Sequence, residues 1–393
     1  MSAKNILLKL LGCRLDDISN ISEQAWAEII DIANKQHVTA YLYYHLKEIE
    51  ALGLIPAKSK DTLFQSFKQS TFRNMALMAE FKRITNAFME KGIPVIGLKG
   101  LHLVSNIYPH IGLRFMRDLD ILVPLDKMKV AYDCTTKLGY QCDKVITKQD
   151  FSAPHHHLYQ QFHPDKNIIL ELHRSLTEEK NIDMDKLWEN AKDKDNGFYF
   201  DTEDLLLHLC IHISYNDLFK IDIRHYLDIN LILQNRTIDW EQFLNRVENT
   251  ELTRGVLLVF DITSRLFGLR LPNEVESIIV RNKSHEESMK YAIEFMWKYD
   301  KSSKGYKQYK SKLFISDEPI VRRFFRRIFI TKDELSFHYS LDSDSRKVYL
   351  YYFRRVYDLF SRHFVDTFRS KTNLRLIDNI TKTKMLYAYL FDK

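Results

Sequence analysis

The chain has 393 residues and a formal net charge of +6; it is 45% hydrophobic and 28% charged, as is ordinary for a folded soluble protein. The mild positive charge suits anionic substrates such as nucleotides but does not require nucleic acid. The four cysteines are scattered without a C-x-x-C pair, and no apolar run reaches the roughly 18 residues of a spanning helix. The composition therefore argues against a disulfide framework, a zinc knuckle and a membrane span, and favours a cytoplasmic protein.

The first ninety residues show helical periodicity. Apolar side chains recur three and four positions apart between Trp26 and Ala33, and a long amphipathic run follows from Leu63 to Met89. Gly92 and Pro94 end that run. We predict an N-terminal helical region over residues 1–90.

The next ninety residues alternate between strand-like and helical patterns. The predicted elements, in chain order, are a buried strand at Pro94–Leu98, a Lys99-Gly100 turn, a short helix at Leu101–Ile107, a strand at Phe115–Val123, a helix at Asp126–Leu138 and a β-rich run at Asn167–His173. Helical periodicity then returns at Glu203–Ile213, Ile221–Leu233 and Trp240–Val247.

This order predicts an α+β fold, in which a small mixed-sheet core is flanked by N- and C-terminal helical regions. We expect the core at 91–180, a helical domain that closes a cleft at 181–300 and a basic helical region at 301–393. We expect the cleft to lie between the core and residues 180–240.

Charged residues interrupt two of the predicted strands. Asp118 and Asp120 lie two positions apart, so both side chains face one side of a strand while Leu119 and Ile121 face the other. Two adjacent carboxylates repel each other unless a cation lies between them, and Mg²⁺ takes carboxylate oxygens as ligands. Glu171 is a charge within the apolar run Leu-Glu-Leu and is the candidate third ligand.

These three carboxylates, Asp118, Asp120 and Glu171, are the predicted catalytic and metal-binding residues. They would hold two Mg²⁺ ions about 3.5–4 Å apart, with Mn²⁺ as an alternative. One ion would orient a triphosphate, and the other would lower the pKa of an acceptor hydroxyl. A D-x-D pair also occurs by chance, and Arg117 could simply pair with Asp118; the order of strand, glycine turn, helix and two charged strands is much rarer.

Several neighbouring residues are candidates for phosphate binding. Gly100 would let the backbone approach a phosphate, and the helix after it would present free N–H groups. Lys99, Arg114 and Arg117 would add positive charge. His173 follows Glu171 on the same strand face, where it would touch phosphate or acceptor or serve a structural role.

The core motif resembles that of the bacterial nucleotidyltransferases of the DNA polymerase β-like superfamily, in their uncharacterised branch. The likeness rests on the stretches Gly97-Leu98-Lys99-Gly100, Tyr108-Pro109, Arg114, Asp118 to Val123 and Glu171-Leu172-His173. Weaker similarity extends it over roughly residues 1–240, and the superfamily's usual glycine-serine turn is replaced by Lys99-Gly100.

This resemblance implies transfer of a nucleotidyl group from an NTP, with ATP expected, to an acceptor hydroxyl, with release of pyrophosphate. A small-molecule or glycan-precursor acceptor is favoured over tRNA or protein. Two alternatives stay open: an inactive nucleotide-binding regulator, and a toxin-type enzyme that modifies tRNA or protein.

Other polar clusters have weaker interpretations. His155-His156-His157 is expected in a loop, exposed or lining the substrate site, and His208 and His212 have zinc-like spacing but lack the glutamate of H-E-x-x-H. Arg224 and Asp228 lie four positions apart and are expected to form a pair on a helix surface.

The C-terminal region is basic and aromatic. The run Arg322–Arg327 and a predicted helix at Tyr349–Phe368 would contact an anionic membrane surface or nucleic acid, or present a solvated face. A membrane surface, contacted peripherally, is therefore one expected partner of this region.

Overall fold

The computed structural model describes residues 2–12, 18–144, 146–151, 155–178, 182–194, 197–298, 335, 339, 349–357 and 374–391. The chain divides into two compact units, Met1–Tyr299 and Asp300–Lys393. Residues 349–357 are helical, and a further helix spans Leu374–Phe391. The basic run Arg322–Arg327 and residues 358–368 of the predicted C-terminal helix lie outside the described residues.

Among the described residues of the first unit, four α-helices and a 3₁₀ helix, Ala51–Leu54, precede the sheet. The α-helices are α1 (Ala3–Leu11), α2 (Glu23–Lys35), α3 (Thr39–Glu48) and α4 (Ala57–Met89). The Ser22 side chain accepts a hydrogen bond from the Ala25 N–H and thereby caps α2. Trp26 and Ala33 are fully buried, which confirms the apolar face predicted for this helix.

The described residues include a seven-stranded mixed sheet, in the order β3-β4-β5-β2-β1-β7-β6. Its strands are β1 (Ile96–Gly97), β2 (Asp118–Leu122), β3 (Gln141–Cys142), β4 (Gln161–His163), β5 (Ile168–His173), β6 (Lys192–Lys194) and β7 (Gly197–Tyr199). The mixed sheet within flanking helices confirms the α+β prediction. Strands β3, β4, β6 and β7 were not predicted, because two or three residues are too few to show an alternating pattern.

Strand alternation separates the two faces of the sheet. Strands β2 and β5 run parallel, with Asp120 opposite Glu171 and Ile121 opposite Leu172. Ile121 and Leu172 are buried in an apolar core with residues of α4 and of α6 (Met128–Lys137), which begins after the 3₁₀ turn Leu125–Lys127. The opposite face is therefore left for the polar members of the same strands.

The other α-helices described in the first unit are α5 (Lys99–Asn106), α7 (Met184–Asn190), α8 (Thr202–Ile211), α9 (Arg224–Asn235), α10 (Trp240–Asn249), α11 (Thr253–Phe267), α12 (Asn273–Glu276) and α13 (Lys283–Lys298). The junction between α8 and α9 is irregular. A π-helix, His212–Asn216, extends α8, and Leu218 and Phe219 then adopt φ values of 48° and 58°. Because two consecutive left-handed residues cannot continue a helix, they end the helical stretch of α8 and the π-helix. Helix α9 begins at Arg224, later than the predicted start at Ile221. Among the described residues, no helix combines the length and apolar character needed to cross a bilayer.

Candidate functional site

Three polar side chains from β2 and β5 meet on the face of the sheet away from the apolar core. The potential ligand atoms of Asp120, Glu171 and His173 all lie within 4.8 Å of one another. His173 Nε2 is 2.8 Å from Asp120 Oδ1 and 3.4 Å from Glu171 Oε2. Gln160 donates a hydrogen bond to the other Glu171 oxygen, Oε1. The parallel pairing of the two strands thus creates a buried acidic group joined by an imidazole.

Lys99 brings a positive charge to the same carboxylate. Its Nζ donates to Asp120 Oδ1 at 2.8 Å. The adjacent backbone is fixed by a hydrogen bond from the Leu98 N–H to the Asp120 carbonyl. Lys99 is the first residue of α5 and has a φ of 45°, a conformation that costs a side-chain-bearing residue roughly 1–2 kcal/mol relative to glycine. The turn predicted at Lys99-Gly100 therefore takes its left-handed residue at the lysine.

Burial and charge act against each other at the two central carboxylates. Burial raises the pKa of Asp120, but the Lys99 charge and the His173 hydrogen bond outweigh burial and hold this pKa below its ordinary value. Burial also raises the pKa of Glu171, and the His173 hydrogen bond and the Lys99 charge hold it well below its usual range. Both groups are therefore ionised at neutral pH, as cation binding requires.

The two groups that bind the Asp120 carboxylate, His173 and Lys99, have pKa values shifted in the opposite direction. Burial lowers the pKa of His173, but its hydrogen bonds to Asp120 and Glu171 raise this pKa above the ordinary value. Burial likewise lowers the pKa of Lys99, and the charges of Asp120 and Glu171 raise it by more. The lysine therefore stays protonated in spite of its burial.

Asp118 lies on the same strand face but outside this close group. Its side chain is 23% exposed, and Arg117, itself 41% exposed, approaches it at 3.4 Å. Burial raises the pKa of Asp118, and repulsion from Asp120 and Glu171 raises it further. Asp118 therefore forms the ion pair with Arg117 that the sequence allowed, and it also repels Asp120 and Glu171 electrostatically.

Arg114 binds Asp228 and not the carboxylates of the acidic group at Asp120 and Glu171. Its guanidinium makes a bidentate ion pair with Asp228, with N–O distances of 2.9–3.0 Å, and the Tyr108 hydroxyl donates to the same carboxylate at 2.7 Å. A Cβ on Gly100 would lie 2.9 Å from Arg114 Nη1, so the glycine allows α5 to pack against this arginine. The structure shows this packing role for Gly100.

The predicted surface pair between Arg224 and Asp228 is wrong. Asp228 is fully buried and is bound to Arg114, whereas Arg224 contacts the carboxylate of Asp222 and the carbonyl of Phe115. A spacing of four residues places two side chains on one helix face but does not reveal which face is buried.

Two further histidines lie beside the acidic group. His157 pairs across from His173 as a continuation of the β4–β5 hairpin, with ring centroids 5.3 Å apart, and the His156 ring is 5.7 Å from that of His173. Burial lowers the pKa of His156 to about 2, with repulsion from His173 as the next cause, so this ring is neutral. His155 is exposed and contacts Glu178. His156 and His157 therefore line the acidic group, whereas His155 does not. Their closeness to His173 depends on the register of the hairpin.

Helix α8 and the π-helix that extends it contribute two imidazoles near Lys99, the buried His208 and the partly buried His212. Burial lowers the pKa values of His208 and His212 well below their usual range, and the Lys99 charge lowers both further. His212 Nε2 is 3.4 Å from Asp217, at the end of the π-helix. Within the described part of the chain, the group with metal-ligand geometry is the one at Asp120, and it does not include these histidines.

The donor set is suited to a divalent cation. Two ionised carboxylates and one imidazole converge in a buried position, and buried like charges require compensation by a cation. Carboxylate oxygens suit Mg²⁺ and Mn²⁺, whereas an imidazole ligand is more typical of Zn²⁺, Fe²⁺, Cu²⁺ and Ni²⁺. Asp120 and Glu171, two of the three predicted ligands, thus lie together, and His173 joins them where Asp118 was expected.

Comparison with known proteins gives one match. Residues 22–268, more than half of the chain, match the family described as "Uncharacterised nucleotidyltransferase". The chain matches no curated protein and no solved structure. The matched range contains the whole sheet and the acidic group with Lys99, and the chain therefore belongs to this nucleotidyltransferase family.

Proposed function

We propose that the protein is a metal-dependent enzyme that transfers an NMP from an NTP, with ATP expected, to an acceptor hydroxyl. The observation that carries this proposal is the buried group Asp120–Glu171–His173, with Lys99 against it, in a member of a nucleotidyltransferase family. The acceptor hydroxyl would lose its proton to solvent, and its oxygen would form a bond to the α-phosphorus while the bond to the pyrophosphate oxygen breaks and pyrophosphate leaves.

Asp120 and Glu171 would hold the metal, with His173 or Asp118 completing the protein ligands. We expect Mg²⁺, with two ions if Asp118 takes part and with Mn²⁺ as the alternative. When bound, such a cation neutralises phosphate charge and lowers the pKa of a coordinated hydroxyl. The carboxylates supply the negative charge that retains it, and their burial excludes bulk water.

Lys99 and Arg117 would bind the triphosphate. Lys99 is a mobile point charge on a long stem, and the 41% exposed Arg117 lies beside Asp118, so both can reach a phosphate held at the metal. Helix α5 presents its N-terminal N–H groups next to Gly100. Arg114 is engaged by Asp228, so a direct contact of Arg114 with nucleotide stays a prediction.

The acceptor would enter beside His157. A cavity of about 220 Å³ adjoins this residue, with walls formed by Asp150, His155, His157, Leu158, Tyr159, Arg174 and Glu178. This size accommodates one sugar ring or a group of similar size, which supports a small-molecule or glycan-precursor acceptor. His157 lines this cavity and also pairs with His173 of the acidic group, which supports placing the acceptor at this end of the cavity.

The experiment is a pyrophosphate-release assay with each of the four NTPs, Mg²⁺ or Mn²⁺, and a panel of sugar-phosphate and alcohol acceptors. We expect D120N and E171Q to lower the rate by at least about 10³-fold, because each removes charge from the metal ligands. D133N is the matched control, since Asp133 lies in an exposed ion pair with Lys129. NTP binding without product in the native protein would instead favour a regulator, and no NTP binding at all would overturn the proposal.

A further inference from the structure

The Oδ1 atom of Asp120 already accepts hydrogen bonds from two groups. Lys99 Nζ and His173 Nε2 each lie 2.8 Å from it. A carboxylate oxygen has about two lone-pair sites, so this oxygen is saturated by its two donors. A metal ion that uses the same oxygen must therefore displace one of them.

Of the two donors, the Lys99 ammonium resembles a metal ion in being a compact positive charge. Its ammonium interacts electrostatically with Asp120, Glu171 and Asp118, the three carboxylates predicted to bind metal. Its side chain is only 17% exposed, and it makes its ion pair with an Asp120 side chain that is 7% exposed. The ammonium thus occupies the region in which a divalent cation would gain the same three interactions.

The backbone at Lys99 suggests that this side chain has a function. The residue keeps a left-handed conformation, with a φ of 45°, that glycine would adopt more readily. Outliers of this kind are found at functional sites. The four-carbon stem lets the ammonium move by several ångströms without a change in the fold. His173, by contrast, is held within β5.

We propose that Lys99 competes with the divalent metal ion for Asp120, and that an incoming triphosphate draws Lys99 away so that metal and nucleotide bind together. The nucleotide half of this proposal rests on the proposed function. The competition between Lys99 and the metal ion does not, because it follows from the contacts of Asp120. Metal binding to the nucleotide-free protein is therefore weak, and the loss of Lys99 strengthens it.

The test measures Mn²⁺ binding to the full chain without nucleotide, by the EPR signal of free Mn²⁺. We expect K99Q, which removes the charge but keeps a polar side chain, to bind Mn²⁺ at least about tenfold more tightly than the native protein. We expect K99R, which keeps the charge, to bind like the native protein. K166Q is the matched control, because Lys166 forms a 2.6 Å ion pair with Glu80 on a different cluster, and its Mn²⁺ affinity should not change.

The inference is overturned if K99Q binds Mn²⁺ no more tightly than the native protein. Should K99Q fail to fold without metal, K99M is tested beside it. In that case, the competition predicts that Mn²⁺ restores folding of at least one of these variants at concentrations too low to change the melting temperature of the native protein. Failure of that rescue in both variants contradicts it. A non-hydrolysable ATP analogue that binds no variant would contradict the proposed function, while the nucleotide-free comparison would still decide the role of Lys99.

Discussion

At the scale of single residues, two buried carboxylates, Asp120 and Asp228, make strong electrostatic interactions that serve different roles. Asp120 is shared between Lys99 and His173 beside other carboxylates, whereas Asp228 is fully enclosed by Arg114 and Tyr108. The first arrangement leaves excess negative charge, which suits a cation. The second is balanced and geometrically complete, which suits a structural tie between the segment before β2 and α9.

The Arg114–Asp228 pair should therefore govern stability. We expect D228N to lower the free energy of unfolding by about 3–5 kcal/mol, because it leaves the Arg114 guanidinium buried without its counter-charge. D31N is the control: Asp31 pairs with Lys35 at a surface position and should contribute under about 1 kcal/mol. Urea denaturation measures both. A loss below about 1 kcal/mol for D228N would show that the pair does not hold the two segments together.

At the scale of elements, α4 is tied to the sheet by an ion cluster far from the acidic group. Glu80 on α4 binds Arg83 of the same helix and Lys166 of the β4–β5 turn, and the Tyr140 hydroxyl donates to it. Burial raises the pKa of Glu80, but Arg83 and Lys166 outweigh burial and lower it from 4.5 to about 2. The cluster should therefore make the attachment of α4 sensitive to acid.

This shift predicts a pH dependence of stability. Because the pKa of Glu80 is lower in the folded state, its contribution is complete above pH 4.5 and is lost as the pH falls from 4.5 towards 2. The native protein should exceed E80Q in free energy of unfolding by up to about 3 kcal/mol at neutral pH and low salt. The two stability curves, measured by urea denaturation, should converge near pH 2. A constant difference across this range would contradict the assignment to Glu80.

A second contact between elements sets the position of the π-helix. A Cβ on Gly255 of α11 would lie 2.3 Å from a Tyr215 ring carbon and 2.7 Å from Ser214 Oγ. We expect G255A to destabilise the protein by about 1–3 kcal/mol through overpacking against Tyr215 and Ser214. G53A is the control, since nothing lies within 4 Å of a Cβ there. Thermal unfolding would test this effect, and an unchanged melting temperature of G255A would contradict it.

At the scale of the whole molecule, the family match and the compact first unit coincide. Residues 22–268 lie within the unit Met1–Tyr299, which also contains the sheet and the acidic group. We expect a chain of residues 1–299 to unfold cooperatively and to retain Mn²⁺ and NTP binding at the native affinity. Calorimetry and titration check this. Loss of binding in a folded 1–299 chain would show that residues 300–393 contribute to the site.

The basic C-terminal region makes a separate prediction. We expect the full chain, but not residues 1–299, to sediment with vesicles that contain anionic lipid at low salt, because clustered Lys and Arg side chains are attracted to such surfaces. Neutral vesicles are the control. No sedimentation of the full chain with anionic vesicles would favour a solvated face, and preferential binding of RNA would favour nucleic acid as the partner of this region.

The sequence by itself determined the α+β class, the positions of β2 and β5 and the polar strand face on which Asp118, Asp120 and Glu171 lie. Alternation within a strand is local, so charges among buried apolar residues reveal a polar face without knowledge of the partner strand. The D-x-D pair and Glu171 could be predicted for this reason. The short strands β3, β4, β6 and β7 could not, because their hydrogen-bond partners rather than their own residues define them.

The tertiary structure decided which side chains meet. Parallel pairing of β2 and β5 places Asp120 opposite Glu171, and the hairpin extension brings His157 to His173. The ion pairs of Lys99 with Asp120 and of Arg114 with Asp228 join residues 21 and 114 positions apart. No periodicity encodes such contacts, because they depend on how the chain crosses between strands and on which helix face is buried.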